Sequence, residues 1–93
     1  MYNKLMEEIK KHYLSLLTEI IVKESVILGS DITIAKAQSV GGLVLDSSGN
    51  VINIKGDANQ ILHKLIDEYV DLIGNLAKDA IKEIFEKYPL IKI

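Results

Sequence analysis

Apolar side chains recur at every third or fourth residue between Asp57 and Tyr88, and charged side chains fill the positions between them. This spacing is typical of an amphipathic α-helix. Two neighbouring apolar rows form a stripe wide enough to pack against more than one element. The rows are Leu62, Ile66, Tyr69, Ile73, Ala77, Ala80, Ile84 and Tyr88, and beside them Ile61, Leu65, Leu72 and Leu76. The pattern predicts one long helix over residues 57–88.

The residues at both ends of this helix fit its boundaries. The Asp57 carboxylate can cap the first turn by accepting from the amide of Gln60. Pro89 is expected to end the helix, because proline disfavours the α conformation of the residue before it. Gly74 is unusual, since glycine in a helix interior costs ~1 kcal/mol relative to alanine. We interpret it as a point where another helix packs closely, and a kink that splits the helix in two is the alternative.

A first helix is predicted over residues 2–28, where apolar residues keep the same helical spacing. Gly29 would end it in the left-handed conformation. Residues 31–39 alternate at first like a strand and then contain two alanines, which favour a helix. We therefore expect a short helix or strand there, and Ser30 or Asp31 would cap the helix.

Residues 43–55 carry the strongest β signal in the chain. Two Val-, Leu- and Ile-rich segments flank Asp46–Asn50, which predicts an antiparallel hairpin with a type I turn, Gly49 in the left-handed position and a G1 bulge. An isolated two-stranded hairpin is marginal in water. It is expected to pack on the helices or to pair edge to edge with a second copy, which would make a four-stranded sheet. The apolar tail, residues 90–93, is expected to dock.

These elements predict a single domain over residues 1–93 of the α+β class. The fold would be mainly helical, with two long amphipathic helices flanking a short helix and one β-hairpin. Hydrophobic residues make up 48% of the chain, which is high for a small monomer. A chain of this size buries only about 60–65% of its unfolded surface, so part of this apolar surface stays exposed. Surplus apolar surface in a small domain usually belongs to a subunit interface, so we predict a homodimer. The expected interface residues are Leu65, Tyr69, Leu72, Ile73 and Leu76 on the last helix, and Val44, Ile52 and Ile54 on the hairpin.

Composition narrows the classes of function. The chain has no cysteine, which removes disulfides and thiolate metal sites. Its net charge is −2 and its basic residues are lysines, so the guanidinium groups that usually read guanine edges are missing. We expect no membrane partner and a cytoplasmic location, because apolar runs are short and no signal-peptide pattern is present. The high content of Ile, Lys and Glu resembles that of thermophilic proteins.

Candidate metal sites are limited to two pairs at helical i, i+4 spacing, Glu8–His12 and His63–Asp67. Two ligands are too few for a stable site, and such pairs are ordinary contacts on a helix surface. We therefore expect no metal and no cofactor.

Four acidic residues, Glu24, Asp31, Asp46 and Asp57, are the candidates for acid–base chemistry. The last three have turn or capping roles that account for them. No Gly-x-Ser-x-Gly or Walker pattern is present. We expect that the protein is not an enzyme.

Residues 21–40 have the outline of a helix-turn-helix, with Gly29 at the turn, but Lys36 is the single basic residue on the second helix. We therefore expect a non-catalytic homo-oligomeric interaction or regulatory module of the cytoplasm. Its partner would be a second copy, with another protein as a further partner. The alternatives are a small protein that binds an apolar ligand between its helices and, less favoured, a helix-turn-helix-like DNA-binding protein.

Overall fold

A computed structural model describes residues 2–91 of the chain, with side chains described from Lys4 to Ile91. Helices dominate these residues, and a single antiparallel hairpin interrupts them, so the predicted α+β class is confirmed. The elements in chain order are α1 (Tyr2–Leu28), α2 (Ser30–Val40), β1 (Leu43–Leu45), β2 (Val51–Ile54), α3 (Ala58–Ile73) and α4 (Asn75–Phe85).

The predicted first helix has the expected bounds, and the ambiguous segment that follows it is a helix. Gly29 ends α1 as predicted, but its φ of +87° and ψ of 150° are not those of the left-handed helical conformation that we expected. The expected capping of α2 by Ser30 or Asp31 is wrong, because Gly29 itself occupies the N-cap position. Its carbonyl oxygen accepts from both the amide and the hydroxyl of Thr33, at 3.2 and 2.8 Å.

The predicted single helix over residues 57–88 is wrong at Gly74, where the chain turns a corner between α3 and α4. Gly74 has φ +61° and ψ −133°, a conformation that side-chain-bearing residues rarely adopt. Its amide donates to the Val70 carbonyl and closes α3 at 2.7 Å. A Cβ at Gly74 would have no neighbouring atom within 4 Å, so the close packing expected there is also wrong. The glycine provides the break.

The far end of this region also differs from the prediction. α4 ends at Phe85 rather than at Tyr88. Two i→i+3 hydrogen bonds tighten the chain just beyond it, from Lys87 to Ile84 and from Tyr88 to Phe85, each at 3.0 Å. The capping of α3 is confirmed, since Asp57 accepts from the Gln60 amide at 3.0 Å.

The hairpin has the predicted turn. Gly49 has a φ of +88°, and its amide donates to the Asp46 carbonyl at 3.1 Å. Leu43 lies opposite Ile54, and the register shifts after Val44, so that Ile52 is the extra residue on β2.

The four helices form a bundle in which α3 runs parallel to α1. Asn59 at the start of α3 donates to the Tyr13 hydroxyl at 3.1 Å. Near the other end of α3, Tyr69 donates at 2.9 Å to the carbonyl of Thr33, in the first turn of the helix that follows α1. The core lies between these elements and the hairpin. Its buried side chains are Leu16, Leu17, Ile20, Ile21, Ala37, Val51, Leu62, Leu65, Tyr69, Ala77, Ile81, Ile84 and Ile91.

α4 returns antiparallel to α1. Lys23 and Glu83 approach to 3.9 Å, and one turn earlier on α1 Glu19 pairs with Lys87 at 2.9 Å. The chain after α4 docks as expected through Ile91, which is buried, and residues 92–93 of the predicted tail lie outside the described residues.

Candidate self-association surface

The N-terminal part of α1 extends past the other helices. α1 has 27 residues and α3 has 16, which correspond to lengths of about 40 and 24 Å. Because α3 begins beside Tyr13 and runs parallel to α1, it accompanies α1 only from Tyr13 to Leu28. We call residues 2–12 of α1 the arm.

The apolar stripe of the arm continues the face of α1 that is buried further along the helix. Leu17 and Ile20 are fully buried in the core. Leu5 and Met6 remain 56% and 59% exposed, and Ile9 is half-buried. Helical spacing places all five side chains on one broad face. The same face therefore changes from core to surface where α1 leaves the body.

A cleft of about 340 Å³ lies between the arm and the body. Gly56, with a φ of +115°, turns the chain from β2 into the capped start of α3 and forms part of its floor. The hydrogen bond from Asn59 holds Tyr13 at its inner end. The cleft is lined by Met6, Ile9, Lys10, Tyr13, Ile54, Gly56 and Ala58. It combines an apolar ridge and an apolar hollow on one chain.

The structure divides the eight interface residues expected from the sequence into two groups. Leu65 and Tyr69 are fully buried in the chain's own core, so they offer no surface to a partner. The other six are at least partly accessible: Leu72, Ile73 and Leu76 around the Gly74 corner, and Val44, Ile52 and Ile54 on the hairpin. Of these, Ile54 lines the cleft.

The outer edge of β2 already has partners for two of its amides. Val51 donates to the Thr18 hydroxyl of α1, and Ile54 donates to the side-chain oxygen of Asn53, both at 2.9 Å. A strand added to this edge would have to displace these bonds. The hypothesis of edge-to-edge pairing through β2 therefore loses support relative to association through side chains.

A second open groove, of about 300 Å³, lies between α1 and α4. Val22 and Val26 are exposed along it, and the pairs Lys23–Glu83 and Glu19–Lys87 lie at its walls. The Tyr88 hydroxyl also donates to Glu19. The hydrogen bonds from Tyr88 and Lys87 lower the pKa of Glu19, while burial and the neighbouring carboxylate raise the pKa of Tyr88 to about 12. This network ties α4 to α1 within one chain.

Glu24 is fully buried on the core side of α1. Neither of its carboxylate oxygens has a hydrogen-bond partner among the described residues. Burial raises its pKa to about 7, against the opposing attraction of Lys23. Burial and the charge of Glu24 in turn raise the pKa of Tyr69. This carboxyl therefore ionises near neutral pH, and its ionisation lowers the stability of the bundle. In the sequence, a charged residue within an apolar segment was the one sign of it.

The remaining acidic candidates have local roles or lie on the surface. Asp46 accepts from the side chain and the amide of Asn50, both at 2.9 Å, and these bonds lower its pKa. Asp57 caps α3, and Asp31 is exposed. These carboxylates are therefore spread over separate turns and do not form a pair.

The two i, i+4 pairs do not gather into a metal site. Among the described residues, no group of three or more His, Cys, Asp or Glu side chains is placed to hold a metal ion. His12 packs edge to face on Tyr88, with 6.1 Å between ring centroids.

The second helix of the helix-turn-helix outline carries little positive charge towards solvent. Lys36 lies 3.8 Å from Glu68 of α3, which neutralises it, and Asp31 is exposed at the start of α2. Phosphate neutralisation supplies most non-specific DNA affinity, and this surface offers little of it. Within residues 2–91, no helix is long and apolar enough to cross a membrane.

Comparison of the chain with protein-family models, with curated proteins and with solved structures finds no match. The sequence placed Leu5, Ile9 and Tyr13 on an apolar face but gave no sign that this face would be open. That depends on where α3 begins, because it starts beside Tyr13 and runs parallel to α1 towards Leu28, away from the arm.

Proposed function

We propose that the protein is a non-catalytic interaction module that associates with a second copy of itself. One observation carries the proposal: the apolar stripe of α1 continues from the core onto an arm that α3 does not cover, beside an open apolar cleft. We propose the cytoplasm as its location, as expected from the sequence.

The arm favours association for an energetic reason. The arm prolongs a helix that is already formed, so each of its residues gains little from helix propagation alone, and packing of its apolar face would stabilise it. Complete burial of a Leu, Ile or Met side chain contributes about 1.5–3 kcal/mol, and Leu5 and Met6 are more than half exposed. A partner that covers these side chains would also hold the arm in its helical conformation.

Chemistry favours a protein partner over a charged ligand or nucleic acid. The charges of the arm are nearly balanced, since Lys4, Lys10 and Lys11 outnumber Glu7 and Glu8 by one, so it offers little positive charge to phosphates. Between Lys4 and His12 its apolar side chains are Leu5, Met6 and Ile9, which offer no series of aromatic rings on which bases could stack. An apolar stripe with balanced charged flanks is typical of helix–helix interfaces.

The proposal is tested by the solution mass of the wild-type chain, measured by light scattering over a range of concentrations. We expect a mass near twice 10.4 kDa that falls towards the monomer on dilution. The substitution Met6→Glu should shift this equilibrium towards monomer. Leu72→Glu is the matched control. It places the same charge in a different exposed apolar patch, at the Gly74 corner.

A wild-type chain that remains monomeric at the highest concentration would overturn the proposal. A dimer that Leu72→Glu separates and Met6→Glu leaves intact would move the interface to the Gly74 corner.

A further inference from the structure

We infer that two copies pair their arms antiparallel, so that Met6 of each chain sits in the cleft of the other, between Ile9 and Tyr13. This inference rests on the proposed self-association and specifies its geometry. The occupant of the cleft is therefore a second copy of the same arm.

The first supporting observation is that ridge and hollow occur side by side on one chain. Met6 and Ile9 project from the arm, and the cleft beside them extends inward to Tyr13, Ile54 and Ala58. Its volume of about 340 Å³ is roughly twice that of a ~150 Å³ core cavity that accommodates benzene, so it can take apolar side chains of a partner. A surface that carries both a protruding side chain and a matching hollow can pair with the same surface of a second copy about a twofold axis.

The second observation concerns charge along one edge of the stripe. On a helix with 100° per residue, Lys10 and Glu7 lie on the same side of Met6, about 40° and 100° away. In an antiparallel pair of helices, a given edge of one helix faces the same edge of its twofold mate. Glu7 of each chain would then lie beside Lys10 of the other.

The two observations require the same alignment. Glu7 opposite Lys10 places the twofold axis at a level between Glu8 and Ile9. At that alignment Met6 of the second copy lies level with Lys11, which is between Ile9 and Tyr13 along the stripe. The charge pairing therefore seats Met6 in the cleft without further adjustment of register.

The test uses charge reversal on the arm, with dimerisation constants measured by sedimentation equilibrium. Glu7→Lys alone sets lysines against lysines, and Lys10→Glu alone sets glutamates against glutamates. Each should weaken self-association roughly fivefold or more, since two exposed pairs per dimer change from attraction to repulsion. An equimolar mixture of the two variants should form heterodimers at near wild-type affinity. Lys78→Glu, at an exposed position on α4, is the control and should change affinity little.

The outcomes separate this inference from the proposed function. A wild-type dimer whose affinity is unchanged by either reversal, or whose variants do not recover on mixing, would overturn the antiparallel arrangement and leave self-association standing. A wild-type monomer would overturn the proposed function itself. A charge reversal that only lowered the helicity of its own arm, measured by circular dichroism, would weaken self-association of that variant. It would not restore the affinity when the two variants are mixed.

Discussion

The side-chain amide of Asn59 donates to the hydroxyl of Tyr13 across 3.1 Å, and this contact marks the place where α3 begins to accompany α1. Beyond it, α1 continues as the arm with its apolar stripe open. The pairing of these two residues thus separates the part of α1 that belongs to the core from the part that we propose to be an interface.

Cysteine substitutions should locate the second copy. The chain contains no cysteine, so single variants Met6→Cys and Ala58→Cys can be mixed, and only a bond between chains can then form. We expect the mixed disulfide to accumulate under mild oxidation, because Met6 of one copy would lie in the cleft that Ala58 lines. Val26→Cys, at an exposed position elsewhere on α1, is the control in place of Met6→Cys. Equal yields from the two mixtures would show that the bond reports random collisions.

Glu24→Gln should make stability less sensitive to pH. The folded chain holds the Glu24 proton with a pKa of about 7, because burial raises this pKa from its ordinary value of 4.5. The wild-type chain is therefore most stable with respect to this group below pH 4.5, and it loses stability as the pH rises towards 7. By pH 8 the loss should approach roughly 2–3 kcal/mol.

Urea denaturation at pH 5 and pH 8 measures this effect. The glutamine variant should gain stability relative to wild type between the two pH values, and Glu86→Gln on the surface should not. If the free energies of unfolding of wild type and Glu24→Gln differed by the same amount at both pH values, the Glu24 carboxyl would not titrate as its burial requires.

Gly74→Ala should destabilise the fold by about 1–2 kcal/mol. The φ of +61° at Gly74 is unfavourable for any residue with a Cβ, although the space around it is open. The cost is therefore in the backbone and not in packing. Asn75→Ala, the exposed neighbour at the start of α4, should change the free energy of unfolding by less than about 0.5 kcal/mol. An alanine variant as stable as the wild type would argue against the corner.

Tyr69→Phe should lower stability and leave the oligomeric mass unchanged. The Tyr69 hydroxyl is buried and joins α3 to the Thr33 carbonyl of α2, and removal of such a bond costs about 0.5–1.5 kcal/mol. Chemical denaturation measures the cost, and light scattering follows the mass. If Tyr69→Phe separated the dimer without loss of monomer stability, Tyr69 would belong to the interface that its sequence pattern predicted.

Local features could be predicted from the sequence because their causes are local. The Asp57 cap, the positive φ of Gly49 and the bounds of α1 each depend on a few neighbouring residues, and the structure has them. Gly74 had two consistent interpretations, since its neighbours on both sides are good helix formers. Tertiary packing of two shorter helices against α1 decides between them.

The candidate surface follows from relations between distant residues, which a periodic pattern does not contain. Leu65 and Leu72 lie in one apolar row of the sequence, yet Leu65 is buried and Leu72 is 42% exposed. Leu5 continues the stripe of Leu16 but lies outside the body. Burial in both cases depends on where α3 begins and ends, and that is a property of the assembled bundle.

The most direct test of the account is amide hydrogen exchange of the arm as a function of protein concentration. If a second copy covers the arm, amides between Leu5 and His12 should be unprotected at concentrations where the chain is monomeric. They should become protected as dimers form, while the α1 amides from Leu16 to Ile21 stay protected throughout. An arm that exchanges at the same fast rate at every concentration, while the mass doubles, would contradict the account.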